Sequence, residues 1–287
     1  MATPDDRVKI LLAKADALCE VRRFADAEQL AREAAVLSPS DHLVFEVWSR
    51  TLLLEDRYDE AAKMAAEAIR LEPNSYRGQL LRSQALTRSL ARAQGFTMPG
   101  RGRAAVHAAR EAIRLAPWNP NGHLALARAF SITFHHKKAA DALDEAKRLA
   151  PNDAVVWTTE SEIALRAGSP RTALIASQRA LKINPNNTAA LHNLGVALRA
   201  TGNVKEGTET IARAARIEPG LSERVATIRR LSRPQNAILA IAAVVLSVSV
   251  ALMVPANNQV PVVAAGVVAM VWLGRNGHRL TRWRRRS

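Results

Sequence analysis

The sequence predicts an all-α fold built as a solenoid of stacked helical repeats. Similar segments recur along the chain, among them AIRLEPNS at 68–75, AKRLAPND at 146–153 and ALKINPNN at 180–187. The prolines of these segments are 34 residues apart except for one interval of 44, and a repeated period of this size is typical of helical arrays. Each proline also follows an alanine by five residues. The six prolines are Pro39, Pro73, Pro117, Pro151, Pro185 and Pro219.

If each proline ends the second helix of a unit, the chain divides into six units. The predicted spans, after a lead at 1–7, are 8–41, 42–75, 76–119, 120–153, 154–187 and 188–221. Small residues recur at two fixed distances before each proline, as closely packed helix pairs require. Each unit is therefore predicted to be two amphipathic helices, with Asn, Asp or Ser after the proline capping the next unit. The small residues are Ala34, Ala68, Ala112, Ala146, Ala180 and Ala214, and Ala27, Ala61, Ala105, Ala139, Ala173 and Gly207.

The third unit is ten residues longer than the others and strongly basic. Residues 76–119 contain eight arginines and one acid, whereas the rest of 1–220 is near neutral. Glycines and a proline in the insertion predict an irregular loop. The unit is either a longer, solvated helix hairpin or a loop that meets anionic lipid or an acidic partner. The loop prediction rests on Gly95, Pro99, Gly100 and Gly102, and the basic patch consists of Arg92, Arg101 and Arg103.

After the repeats, a capping helix at 222–233 is predicted to cover the last unit. Residues 234–274 contain no charge, which predicts a transmembrane hairpin with helices at 237–254 and 260–274. Arginines flank both ends, so the positive-inside rule places the repeats, both termini and the basic tail at 275–287 in the cytoplasm, beside the inner (cytoplasmic) membrane. In one alternative, the shorter second segment does not span the membrane but lies in its plane or re-enters on the same side. In another, both segments are a buried helical pair of a soluble domain.

Composition gives the broad class. The net charge is +15, but residues 221–287 hold ten basic residues and one acid, so most of the excess belongs to the tail. Cys19 is the only cysteine, which excludes an intramolecular disulfide. The polar N-terminus has no signal-peptide pattern. The Ala- and Arg-rich composition is typical of bacterial proteins.

The registered prolines and alanines resemble the tetratricopeptide repeat family over about residues 8–221. The resemblance implies a right-handed superhelical solenoid whose first helices line a concave groove that binds peptides or proteins. Ser49, Ser83 and Ser161 depart from the Gly or Ala that the family usually has at that position.

Several arginines occupy positions that face the groove in this family. Guanidinium groups bind carboxylates bidentately, so these positions favour an acidic peptide or a C-terminal carboxylate, unless the arginines only solubilise the groove. The Lys and Asn set with which some relatives clamp chaperone tails is matched only at Asn193. The candidate groove residues are Arg50, Gln84, Arg88, Arg128, Glu162, Arg166, His192, Asn193 and Arg199.

No motif for catalysis, a cofactor or a metal was found. His135 and His136 are adjacent and point in different directions on a helix, and Cys19 has no histidine spaced to act as its base. The sequence therefore predicts a non-enzymatic, membrane-anchored adaptor or scaffold that binds a protein or peptide. The alternative is a membrane-tethered binder of nucleic acid or anionic lipid through the arginines of the third unit. Nucleic acid is disfavoured because Phe96 is the only aromatic residue in the insertion.

Overall fold

The computed structural model describes residues 4–92 and 99–218. These ranges contain α-helices and no strand. The chain divides into two compact units, residues 1–221 and residues 222–287, and the description concerns the first. The predicted capping helix, transmembrane hairpin and basic tail lie outside the described residues. Within the described ranges, none of the helices has both the length and the apolar composition needed to cross a membrane.

The helices follow one another as six antiparallel pairs. Most first helices of a pair have 13 residues and most second helices have 14. The first helix of the chain begins at Pro4, inside the predicted lead at 1–7. The bounds are α1 Pro4–Glu20, α2 Phe24–Leu37, α3 His42–Leu54, α4 Tyr58–Leu71, α5 Tyr76–Arg92, α6 Pro99–Leu115, α7 Pro120–Ile132, α8 His136–Leu149, α9 Ala154–Arg166, α10 Pro170–Ile183, α11 Thr188–Ala200 and α12 Val204–Ile217.

The recurring small residues lie where the two helices of each pair cross. Every alanine of the two predicted series is at most 1% exposed, which confirms their packing role. In the second pair the Ser49 hydroxyl donates to the Ala61 carbonyl at 2.9 Å, and Ser83 makes the equivalent bond in the third pair. In the last pair a Cβ on Gly195 would lie 2.6 Å from the Gly207 carbonyl oxygen, so only glycine permits that crossing.

Polar caps separate one pair from the next, as predicted. The Asp41 carboxylate accepts from the Leu43 N–H at 2.9 Å, and the Ser75 hydroxyl accepts from the Gly78 N–H at 2.9 Å. Each cap holds one of the N–H groups that a helix start leaves without an intrahelical partner. The same role falls to Asn119, Asp153 and Asn187.

The prediction of an irregular loop through Pro99, Gly100 and Gly102 is wrong. Helix α5 has 17 residues and α6 has 17, so the insertion mostly lengthens the two helices of the third pair. Proline is tolerated in the first turn of a helix, and Pro99 begins α6. Gly102 lies within α6, and a Cβ there would be 2.7 Å from the Thr133 side chain, so glycine permits close packing against the fourth pair. Gly95 lies outside the described residues.

The pairs stack so that the first helices form the inner wall. Within the described ranges, α1, α3, α5, α7, α9 and α11 each pack on the next first helix, whereas consecutive second helices make at most marginal contact. The solenoid bends far enough for its ends to meet. The Arg22 guanidinium, in the turn of the first pair, donates to Glu218, after the last helix, at 2.7 Å.

Candidate functional site

The middle of the inner wall contains a small pocket formed by three first helices, α5, α7 and α9. Its volume is about 100 Å³. It contains three arginines of the predicted groove set and the one glutamate. The lining residues are Thr87, Arg88, Ala91, Arg128, Ser131, Glu162, Ile163 and Arg166. We call this the central pocket.

Glu162 is the only acid that lines the central pocket. The Arg128 Nε donates to Glu162 at 3.2 Å and the Arg166 Nη2 donates to it at 3.4 Å, which are long bonds for charged partners. Burial would raise the pKa of Glu162, but the charges of Arg128 and Arg166, with the Arg128 hydrogen bond and the charge of Arg88, outweigh burial and hold the pKa below its ordinary value. Glu162 is therefore ionised, and the lining carries two net positive charges.

Two hydroxyl groups of the central pocket residues have no partner among the described residues. The Thr87 Oγ1 and Ser131 Oγ atoms are both buried and make no hydrogen bond. Both residues occupy the twelfth position of their units, where the first, second and fifth units have Cys19, Leu53 and Leu165 and the sixth has Arg199. A buried hydroxyl without a partner costs about 1–3 kcal/mol. The sequence did not single out these two residues, although hydroxyl side chains at a position that is apolar in three of the other four units were a visible signal.

The remaining groove residues are spread along the inner wall. Arg50 pairs with Asp16 of the preceding first helix, and Asn193 donates to the Ser161 hydroxyl at 2.7 Å, so both side chains link neighbouring units. Gln84 and His192 are half-buried, and Arg199 is exposed. The structure thus brings Arg88, Arg128 and Arg166 together and places the other candidates away from the central pocket.

Two arginines of the basic patch hold the long third pair against the second pair. The Arg92 guanidinium donates to the Asp56 carbonyl at 2.9 Å, and Arg101 pairs with the Asp59 carboxylate at 2.6 Å. The Ser89 hydroxyl donates to Asp59 at 2.8 Å. The Ser89 hydrogen bond, followed by the Arg101 charge, lowers the pKa of Asp59 below its ordinary value despite partial burial. Arg92 and Arg103 are exposed, and Arg101 is half-buried.

A second cluster of arginine and glutamate links the first two pairs away from the central pocket. Glu28 is 8% exposed and accepts from Arg32 at 2.7 Å and from Arg57 at 2.5 Å. Arg57 also pairs with Glu55 and Glu60. Burial alone would raise the pKa of Glu28, but the hydrogen bonds from Arg32 and Arg57 lower it below its ordinary value. We call this the interhelix cluster.

Cys19 and His135, which the sequence analysis considered for catalysis or metal binding, make ordinary contacts with neighbouring side chains. Cys19 is buried, and its sulfur lies 3.4 Å from the Thr51 hydroxyl. His135 contacts the Thr133 hydroxyl at 3.1 Å in an exposed turn. Across residues 4–92 and 99–218, no three His, Cys, Asp or Glu side chains are grouped as metal ligands would be.

Two kinds of similarity to known proteins were found, one to a family model and one to solved structures. A family model described as tetratricopeptide repeat matches residues 164–231. A search of curated proteins finds no significant match.

Many solved structures share the architecture, and three illustrate it. A tetratricopeptide repeat protein of Thermus thermophilus is 20% identical, with a TM-score of 0.60 over 67% of this chain and 99% of that one. The APC/C hetero-tetramer Cut9–Hcn1 gives 13% identity and a TM-score of 0.58 over 78% of this chain and 42% of that one. The human IFIT1 dimer with PPP-AAAA gives 19% identity and a TM-score of 0.50 over 73% and 55%.

At these identities the likenesses show the fold alone. They agree with the paired helices, the buried small residues and the inner wall of first helices described above. Together with the tetratricopeptide repeat model that matches residues 164–231, they show that the described part of the chain has the tetratricopeptide repeat fold.

Proposed function

We propose that this protein is a non-enzymatic adaptor that binds an acidic segment of a partner protein in its groove and is held at the cytoplasmic face of a membrane. The observation that carries the binding part is the central pocket. Arg88, Arg128 and Arg166 converge there around one carboxylate, Glu162. An extended acidic segment lying along the first helices supplies the negative charge that the pocket lacks, and arginine is the side chain best suited to bind it bidentately.

The membrane part of the proposal rests on the sequence. Residues 234–274 contain no charge and are flanked by arginines, and they follow the repeats after the predicted capping helix at 222–233. A charge-free run of this length favours a hairpin with helices at 237–254 and 260–274. Such an anchor concentrates the repeats, and whatever they bind, at the membrane surface.

The alternative, a binder of nucleic acid or anionic lipid through the third unit, has less support. Arg92 and Arg101 are occupied by Asp56 and Asp59 of the second pair. A phosphate backbone would have to compete with these contacts.

The groove proposal is tested by capturing partners from a lysate of the source cells with the purified protein, followed by identification of the captured protein. The double variant Arg128→Glu, Arg166→Glu is expected to lose the partner because it reverses two of the three pocket charges. The matched control is Arg103→Glu, Arg171→Glu, which makes the same change in net charge at exposed positions. Equal capture by both double variants would refute binding in the central pocket.

The anchor is tested by truncation after Arg233. The truncated protein is expected to fractionate as a soluble, helical protein, and the full chain is expected to sediment with membranes and to resist alkaline extraction. Truncated protein that still sediments with membranes would show that residues 234–287 are not the sole anchor.

A further inference from the structure

We propose that the central pocket receives a phosphoryl group carried by a serine or threonine of the partner protein. This inference rests on the proposed function, because it names the acidic group that the groove recognises. The reasons are the charge of the pocket, its unused hydrogen-bond donors and its size.

The charge of the pocket fits a dianion better than a carboxylate. Three guanidinium groups and one carboxylate leave a charge of about two. A phosphorylated side chain carries about −1.5 to −2 at pH 7, whereas an Asp or Glu side chain carries about −1 and would leave one arginine uncompensated. Arg88 makes no hydrogen bond within the described residues, and Glu162 holds the other two arginines by bonds of 3.2 and 3.4 Å, although Arg128 also donates to the Thr159 hydroxyl at 2.7 Å. Arg88 and Arg166 are therefore the guanidinium groups most available to an incoming anion.

The donors of the pocket also favour a phosphoryl group. Thr87 and Ser131 line the pocket, and their hydroxyl oxygens are buried with no partner in the described part of the chain. A phosphoryl group presents three acceptor oxygens, against two for a carboxylate. Three arginine forks and two hydroxyls are more donors than one carboxylate accepts, and a third oxygen supplies the additional acceptors.

The size and position of the pocket point to a group on an extended peptide. A volume of about 100 Å³ suits one small anionic group. The pocket lies on an inner wall formed by α5, α7 and α9, where an extended chain has access and a flat lipid surface does not. The rest of the ligand lies along the groove.

The binding experiment uses the full-length chain in detergent and four pools of short, fluorescently labelled degenerate peptides. The pools carry phosphoserine, phosphothreonine, glutamate or serine at the central position. Fluorescence anisotropy is expected to show the phosphorylated pools binding about tenfold more tightly than the glutamate pool, since two further charge-assisted bonds are formed. Equal affinity for the glutamate and phosphorylated pools would overturn the phosphoryl assignment but leave the proposed acidic ligand intact.

Competition separates the possible sources of phosphate. Inorganic phosphate is expected to displace the phosphorylated pools only at millimolar concentration, and vesicles that contain phosphatidylserine or phosphoinositides are expected not to displace them. Binding of inorganic phosphate with no binding of any peptide pool would overturn the peptide assignment. Displacement by vesicles at micromolar lipid would assign the pocket to a lipid headgroup instead.

Variants assign the contacts. Arg88→Ala, and Thr87→Val with Ser131→Ala, are each expected to weaken binding of the phosphorylated pools about tenfold, with a smaller effect on the glutamate pool. Glu162→Gln removes the competing carboxylate and is expected to tighten binding several-fold. Arg103→Ala, an exposed arginine of the same unit, is the control and should bind like the unmodified chain. Unchanged affinity in Arg88→Ala, with the same helical circular dichroism spectrum, would overturn the inference.

The two proposals fail in different ways. If a captured partner is lost with Arg128→Glu, Arg166→Glu but is retained after phosphatase treatment, the groove binds an acidic segment that is not phosphorylated. If capture is insensitive to the double variant, the groove proposal fails, and the phosphoryl inference fails with it.

Discussion

Two clusters of arginine and glutamate in this protein use the same chemical groups to different ends. In the interhelix cluster, Glu28 is nearly buried and accepts bonds of 2.5 and 2.7 Å from Arg57 and Arg32. In the central pocket, Glu162 is 40% exposed at its side chain and receives bonds of 3.2 and 3.4 Å. The first cluster is satisfied within the protein, whereas the second leaves charge and hydroxyl groups unused. We infer that the first holds two units together and the second is kept for a ligand.

The largest expected effect on stability comes from removing the acid of the interhelix cluster. Glu28→Ala is expected to lower the free energy of unfolding by about 2–3 kcal/mol, because Arg32 and Arg57 lose a short, nearly buried partner. Urea denaturation followed by circular dichroism measures the change. The paired test is Glu162→Gln, whose bonds are long and more exposed, and for which a loss below about 1 kcal/mol is expected. A similar loss in both variants would erase the distinction between the clusters.

Acid titration tests the role of the interhelix cluster and leaves the residues of the central pocket unchanged. The pKa of Glu28 in the folded protein lies below its ordinary value of 4.5, so its stabilising contribution is present above that value and is lost as pH falls through the folded pKa. Denaturant midpoints measured from neutral pH downward should therefore fall below about pH 4.5. In Glu28→Gln this fall is expected to be shallower. If the denaturant midpoint of Glu28→Gln fell with pH as steeply as that of the unmodified protein, other carboxylates would be responsible for the loss of stability in acid.

Removing a hydroxyl group should lower the stability of the protein where the hydroxyl has hydrogen-bond partners, and should not lower it where the hydroxyl has none. Thr87→Val removes a hydroxyl without a partner and is expected to leave stability unchanged or raise it by up to about 1 kcal/mol. Thr159→Val removes a hydroxyl that accepts from Arg128 at 2.7 Å and donates to the Val155 carbonyl at 2.7 Å, and should cost about 1 kcal/mol. Thermal melts of the two variants provide the comparison. Destabilisation by Thr87→Val comparable to that of Thr159→Val would show that its hydroxyl is satisfied in solution.

The smallest expected effect belongs to the charge pair that joins the two ends of the solenoid. Arg22 and Glu218 are partly exposed, and such pairs contribute about 0–1 kcal/mol. Arg22→Ala should therefore leave the melting temperature almost unchanged. Its effect should be conformational, with a larger radius of gyration in small-angle X-ray scattering. An unchanged radius together with an unchanged melting curve would show that neighbouring units, and not this pair, set the curvature.

The repeat period predicted the helices well because it depends on local packing. Residues such as Ala61 and Ala146 recur where two helices must cross closely, and both are fully buried. The prediction of an irregular loop was wrong because Gly102 is needed for close packing against Thr133, which is distant in sequence. Local sequence patterns cannot distinguish such a glycine from one that forms a turn.

The site was only partly predictable for a similar reason. The family positions selected Arg88, Arg128 and Arg166, which the structure brings to one pocket. They did not indicate that Arg50 and Asn193 would be used between units, or that Thr87 and Ser131 would lack partners. The interval of 34 residues between Arg128 and Glu162 was a usable signal, since equal positions of consecutive units are neighbours along the inner wall.

The contact between Arg22 and Glu218 depends on the number of repeats that lie between these two residues. In a solenoid each unit adds nearly the same rotation and rise, so the first and last units meet only at one particular repeat number. Deleting one pair would leave a gap between the ends, and duplicating one would make them overlap. Gain or loss of whole units changes the length of an open array at little cost, but between residues 22 and 218 it would also separate the two side chains that now pair.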